Sequence, residues 1–224
     1  MATLRAVSIA LKSPAIDKRA QKRRNASHLS GHLFHVRQHD IAHGSLHLDS
    51  ERRGVAIGMA SAFLVALAIV TIAAIFGGAH IAPSVSVEFR LELLAASLMA
   101  PAASLFLCIA RLAKHRFFTP EDINGSALTE GTARAKLLQA LLQNTLEQLA
   151  LALSVYFVCS FTFPSHLLGL IPVAAAMFFV GRVLFYIGYS GGAPSRAFGF
   201  ALTFYPTVLL GCVAIYFMVF RGAA

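Results

Sequence analysis

The sequence predicts an all-α integral membrane protein, and three observations carry that prediction. Of 224 residues, 57% are hydrophobic and only 13% charged, with a mean hydropathy of +0.69. A soluble domain of this length needs roughly a quarter of its residues charged to cover its surface. The apolar residues also gather into five runs, each near or above the ~18 to 20 residues that cross a ~30 Å hydrocarbon core. Lys and Arg, finally, crowd the flanks of alternate runs, the pattern of cytoplasmic loops. In hydrocarbon every backbone N–H and C=O needs a partner within the chain, so each run is a helix.

The chain opens with a stretch unlike the rest. Residues 1–53 hold ten of the nineteen Lys and Arg, four acids and six of the nine histidines. This predicts a basic, disordered tail drawn to anionic lipid. The same composition also suits an organellar transit peptide, but Asp49 to Arg53 read as a juxtamembrane flank. His28, His32, His35, His39, His43 and His47 would share one side of a helix, and imidazoles so spaced could hold a divalent ion. Gly31 and Gly44 weaken that helix, and neither a carboxylate nor a Cys completes a site, so no metal is expected.

The five spans follow. The first is Gly54 to Phe76, within an additional transmembrane element over 54–80, and the second is Leu91 to Leu112. The third is Leu137 to Phe161, the fourth Leu167 to Tyr189 and the fifth Phe198 to Phe220. Pro101, Pro172 and Pro206 fall inside the second, fourth and fifth and predict local kinks packed against neighbours. Arg37, Arg52 and Arg53 precede the first span, and Arg111, Lys114, Arg116, Arg134 and Lys136 surround the loop after the second. The opposite flanks carry Arg90 and Arg221. Counting these places the amino terminus in the cytoplasm. The net charge of +9 is this asymmetry, and no nucleic-acid partner is expected. Cys108, Cys159 and Cys212 lie in three different spans and read as buried apolar residues without disulfide or metal spacing.

The third span contains the chemistry. Lys136, Gln139, Gln143, Asn144, Glu147 and Gln148 recur at helical spacing and predict one polar face. Glu147 falls about 15 Å along the span, where an ionised carboxylate facing lipid costs a few kcal/mol. It therefore needs protein partners, and Arg182 on the antiparallel fourth span lies at a similar depth. An Arg182–Glu147 ion pair is expected, with Tyr186 and Tyr189 nearer the surface. Interhelical polar packing is the plain alternative; so many polar groups converging at one end favour a ligand site. "GYSGGAPSR", Gly188 to Arg196, adds Ser195 as an expected N-cap and Arg196 at a helix start, where free N–H groups favour anions. "FFTPEDINGS", Phe117 to Ser126, reads as an ordinary loop, with Thr119 capping Pro120 and an Asn124-Gly125 turn.

"LQNTLEQ" on one helix and "GRVLFYIGYSGGAPSR" on the next resemble the MAPEG family, the membrane-associated proteins of eicosanoid and glutathione metabolism. "ARLAKHRFFTPEDINGS" is similar to its bacterial branch. The resemblance covers about residues 88–221 and implies a MAPEG-like four-helix bundle, here with one additional N-terminal helix. It further implies a homotrimer in a bacterial inner membrane, with glutathione bound between subunits. Residue by residue, Asn144, Glu147, Arg182 and Tyr189 match the family's glutathione contacts, and Arg111 matches a carboxylate contact. Arg196 stands where the family's thiolate-stabilising, catalytic arginine stands. The chain departs from the pattern at Ala140, where many members have arginine, and at Gln148 and Phe185, where tyrosines are common. Losing a guanidinium and two phenols predicts weaker glutathione affinity. The implied activity is a glutathione-dependent transferase or peroxidase acting on lipophilic electrophiles. A non-catalytic, lipid-binding scaffold is the first alternative. A transporter titrating Glu147 is the second, although the sequence has no inverted repeat.

Overall fold

The computed structural model describes residues 48–77, 81–82, 84–125 and 130–221, so the histidine stripe lies outside the described residues. The chain divides into two compact units, Met1–Glu51 and Arg52–Ala224; of the first, only residues 48–51 are described.

Among the described residues the structure is all helical, with five helices long and apolar enough to cross a membrane. They are α1 (Leu48–Phe76), α2 (Val87–Phe118), α3 (Ala133–Thr162), α4 (Leu170–Gly188) and α5 (Ala193–Arg221). Short 3-10 turns at Pro120–Asp122, Ser165–Leu167 and Tyr189–Gly191 join the last four. Each expected span is present. α2, α3 and α5 run several residues beyond the apolar core at the ends carrying basic residues, because polar side chains continue a helix outside the hydrocarbon.

Local chemistry sets the ends. The Ser86 hydroxyl accepts from Phe89 N–H at 3.2 Å and the Thr132 hydroxyl from Ala135 N–H at 3.2 Å, each satisfying a donor the helix leaves unpaired. Thr119, expected as a side-chain cap, makes no such bond. Pro101 and Pro206 lie inside continuous helices, whereas Pro172 falls in the first turn of α4. There its missing N–H has no intrahelical partner to lose, so no kink is required.

Two polar anchors hold α2 to α3. At one end Arg90 Nη1 donates to the Ser160 and Phe163 carbonyls, at 2.7 and 2.9 Å, sealing the carboxyl end of α3. At the other end the buried Asp122 accepts from Thr132 N–H at 2.8 Å, from the Thr132 hydroxyl at 2.6 Å and from His115 Nε2–H at 3.0 Å. The Thr132 hydroxyl and N–H, with the His115 contact after them, hold the Asp122 carboxyl below the usual carboxylate value. The loop read as ordinary is thus tied down by a buried carboxylate.

α4 packs most extensively on α5, α2 packs on both α3 and α4, and α3 packs on α5, while α3 and α4 touch only lightly. The four helices therefore form a ring in the order α2, α3, α5, α4. Tyr156, Phe163, Ile171, Phe178 and Leu210 fill its interior. α4 and α5 meet at backbone distance at Gly199, where a Cβ would collide with the Phe185 backbone. Ile57, Ile72, Met99, Phe106, Phe157 and Ile187 point outward, an apolar surface suited to lipid. Cys108 and Cys159 are buried as expected; Cys212 is exposed on the outer surface, because it falls on the far side of α5 from the buried Leu210 and Ala214.

Candidate functional site

The polar residues of α3 do not form one face. Buried Leu141, Thr145, Gln148 and Ala152 define the side turned into the bundle. Gln148 belongs to that side, Asn144 stands at its edge, and Gln143 and Glu147 point away. The spacing that looked like a single stripe spans about half the helix circumference at 100° per residue, so packing splits it.

Arg182 accordingly pairs differently from the expectation. Its Nη1 donates to Asn144 Oδ1 at 2.7 Å and its Nε to Thr203 Oγ1 at 3.0 Å, while Glu147 accepts from Gln143 Nε2 at 3.0 Å. The Arg182–Glu147 pair is absent from the single chain. The side chain of Arg182 enters from inside the ring and meets the edge residue Asn144, and Glu147 lies on the outward side. Arg182 is 5% exposed, and its Nη2 has no partner. Its guanidinium lies 4.5 Å over the Phe185 ring. Phe185, noted in the sequence as a departure from the family pattern, thus contributes a ring face and no hydroxyl. Thr203 was not anticipated, although a hydroxyl within the apolar run of α5 is the signal that marks it.

A cleft of about 430 Å³ lies beside this pair. Gln143, Asn144 and Glu147 of α3 form its polar wall, with Tyr189 and Arg196 at the meeting of α4 and α5. Four of the six expected site residues therefore share one cavity, and Arg182 holds Asn144 from behind. Because Asn144 Oδ1 is engaged, its NH₂ group is the donor left for a ligand. The Arg196 guanidinium is stacked 4.6 Å over the Tyr189 ring, which fixes the cation at the opening turn of α5. Ser195 does not cap that helix: it lies within the first turn, and its hydroxyl donates to the Gly188 and Gly192 carbonyls. Those bonds close the loop so that Arg196 and Tyr189 meet. Ala140 also lines the cleft, so a guanidinium there would enter it.

Arg111 is the residue that stands apart. Its guanidinium lies 4.5 Å over the Tyr186 ring, and it lines a second cleft of about 190 Å³ together with Cys108, Thr145 and Arg182. That cleft lies between α2 and α4, on a different side of the ring from Glu147 and Arg196.

The MAPEG family model matches residues 93–216, more than half of the chain. No curated protein and no solved structure matches it. The match begins in α2 and ends in α5, so α1 precedes it entirely. An all-helical bundle of membrane-spanning length, matched over α2 to α5, makes this chain a member of the MAPEG family.

Proposed function

We propose that the protein is a glutathione-dependent transferase or peroxidase acting on lipophilic electrophiles, working as a homotrimer in the bacterial inner membrane with its amino terminus in the cytoplasm. Family membership supports a glutathione-related membrane role in general. The observation that carries the sharper reading is the shared cleft of Asn144, Glu147, Tyr189 and Arg196, with Arg182 fixed behind Asn144. A zwitterionic tripeptide needs a carboxylate for its ammonium and donors for its carboxylates and amides, and this wall supplies both.

In this reading Glu147 takes the glutathione ammonium, and the Asn144 NH₂ takes a backbone carbonyl or carboxylate. Arg196, held by its stack on Tyr189, stabilises the thiolate and so raises the reactive fraction at neutral pH. The thiol proton leaves to solvent. With an aryl halide the thiolate forms the C–S bond and chloride departs. With a lipid hydroperoxide, two glutathiones give the disulfide, an alcohol and water. Arg111 is not part of this wall and is assigned no role in it.

The homotrimer has its own support. Glu147 is exposed in the single chain and lies near the middle of a helix about 45 Å long. A carboxylate presented to hydrocarbon there is costly, and a neighbouring copy over that face removes the cost.

The test is Arg196→Ala. Loss of one preorganised donor to a developing anion commonly costs ~10²- to 10³-fold in rate. Turnover of chlorodinitrobenzene should fall by that order while glutathione binding by calorimetry changes little, and the ultraviolet thiolate signal should fade. Equal turnover in both proteins removes Arg196 from catalysis. Absence of glutathione binding in the wild type refutes the enzyme reading.

A further inference from the structure

The helix that precedes the family match is built into the cleft. α1 runs beside the start of α5 on a stripe of small residues at four-residue spacing: Gly54, Gly58, Ala62 and Ala66. A Cβ at Gly54 would lie 2.9 Å from the Pro194 Cβ, and one at Gly58 would lie 3.2 Å from the Ala197 Cβ. Ala62 and Ala66 are fully buried in a cluster with Met177, Ala201 and Leu202. Small residues at this spacing let membrane helices approach to near backbone contact. α1 is thus held tightly at the level of Arg196. The residues that follow the two glycines, Val55 and Met59, line the cavity that Asn144, Glu147 and Arg196 line.

From this arrangement we infer that α1 forms the apolar wall of the site, and that Val55 and Met59 set the size of the electrophile it accepts. The inference rests on the transferase or peroxidase reading and narrows its substrate class. The α3 side of the cleft is polar and suits the tripeptide. The opposing side, Val55, Met59 and Phe200, is apolar and suits the co-substrate. Sites for drug-sized ligands run from about 300 to 1,000 Å³. At about 430 Å³ this cleft lies low in that range, and the tripeptide takes much of it. The space beside Val55 and Met59 therefore fits a compact, aryl-sized electrophile better than a long-chain lipid.

The chain contains no Trp, so one introduced tryptophan reports on its own surroundings. Met59→Trp, with Val55→Trp as a second reporter, is placed in the full chain and titrated with chlorodinitrobenzene, a nitroaromatic quencher, without glutathione. Ile57→Trp, at a position 69% exposed, is the control for simple partition into lipid or detergent. The expected result is saturable quenching at positions 59 and 55 and non-saturating quenching at position 57. Identical quenching curves at all three overturn the proposal. In parallel, Met59→Ala and Val55→Ala should raise kcat/KM for a long-chain lipid hydroperoxide, relative to chlorodinitrobenzene, by about tenfold, with the glutathione Kd unchanged. An unchanged ratio in both alanine variants also overturns it. A wild type that binds no glutathione refutes the enzyme reading alone, since the tryptophan titration still decides whether ligands reach the α1 wall.

Discussion

At the scale of single residues, the structure exchanges one partnership for another. Arg182 donates to Asn144 and Thr203, with Glu147 facing outward. Arg182→Leu leaves a mostly buried amide oxygen without its donor, a loss of about 1 to 3 kcal/mol. Asn144→Leu takes one of two hydrogen bonds from the buried guanidinium, and a hydrogen bond to a charged group contributes about 1.5 to 3 kcal/mol. The double variant should be less destabilised than the two losses added together. Glu147→Leu combined with Arg182→Leu should instead be additive. Thermal unfolding of the detergent-solubilised proteins measures both cycles, and additivity between Asn144 and Arg182 would break the pairing. Ala140 offers a gain-of-function test. Ala140→Arg places a cation in the cleft, and a charge-assisted hydrogen bond of about 1.5 to 3 kcal/mol should tighten glutathione binding about tenfold or more. Unchanged affinity by calorimetry would mean that glutathione does not lie along the Ala140 side.

At the scale of elements, α2 and α3 are fastened at both ends by polar groups, since their apolar faces alone do not fix where the helices stop. Arg90→Ala strips two carbonyls of their donor and should cost about 1 to 3 kcal/mol in unfolding stability. The Asp122 anchor carries a pH signature. Its carboxyl is held below the ordinary value of 3.8 in the folded chain. A depressed pKa gives stability that is present above the unfolded value and is lost as pH falls through the folded one. Wild type should therefore melt above Asp122→Asn at neutral pH, with the gap closing as the pH is taken below 3.8. A gap that stays constant with pH would assign the effect to the lost geometry rather than to the charge. The connection between α4 and α5 works by similar means, because the Ser195 hydroxyl draws the loop shut and delivers Arg196 to Tyr189.

At the scale of the whole molecule, the connectivity of α2 to α4 places the loop at Asn124 and the turn at His166 at opposite ends of α3. The count of basic residues predicts that the Asn124 end is cytoplasmic. Cysteines introduced at these positions in an otherwise Cys-free chain should label from opposite faces of sealed vesicles, Asn124 from the cytoplasmic one. Reversed labelling would invert the orientation. Native mass measurement of the solubilised protein should give three copies. Glu147→Ala should keep the trimer and lose glutathione affinity if the cleft is a ligand site. Loss of the trimer itself would instead favour the scaffold reading.

By itself the sequence determined the solvent, the element type and the family. Hydrocarbon permits only helices and closed barrels, and continuous apolar runs of ~20 residues are helices, so five such runs have one solution, and the motifs on α3 and α4 identified the group to which the chain belongs. It also singled out Asn144, Glu147, Tyr189 and Arg196, which line one cleft, because polar side chains stand out against an apolar background. Tertiary packing decided which of them meet. Periodicity gives the angle of a side chain about its own helix but not the angle at which the neighbouring helix presents its own, so Asn144 and Glu147 were indistinguishable as partners for Arg182. The same limit hid Thr203, Arg90 and the α1 wall. Gly54, Gly58, Ala62 and Ala66 recur at four-residue spacing, but a stripe of small residues states only that something packs closely there. That the neighbour is the start of α5, beside Arg196, followed from the three-dimensional arrangement of the chain.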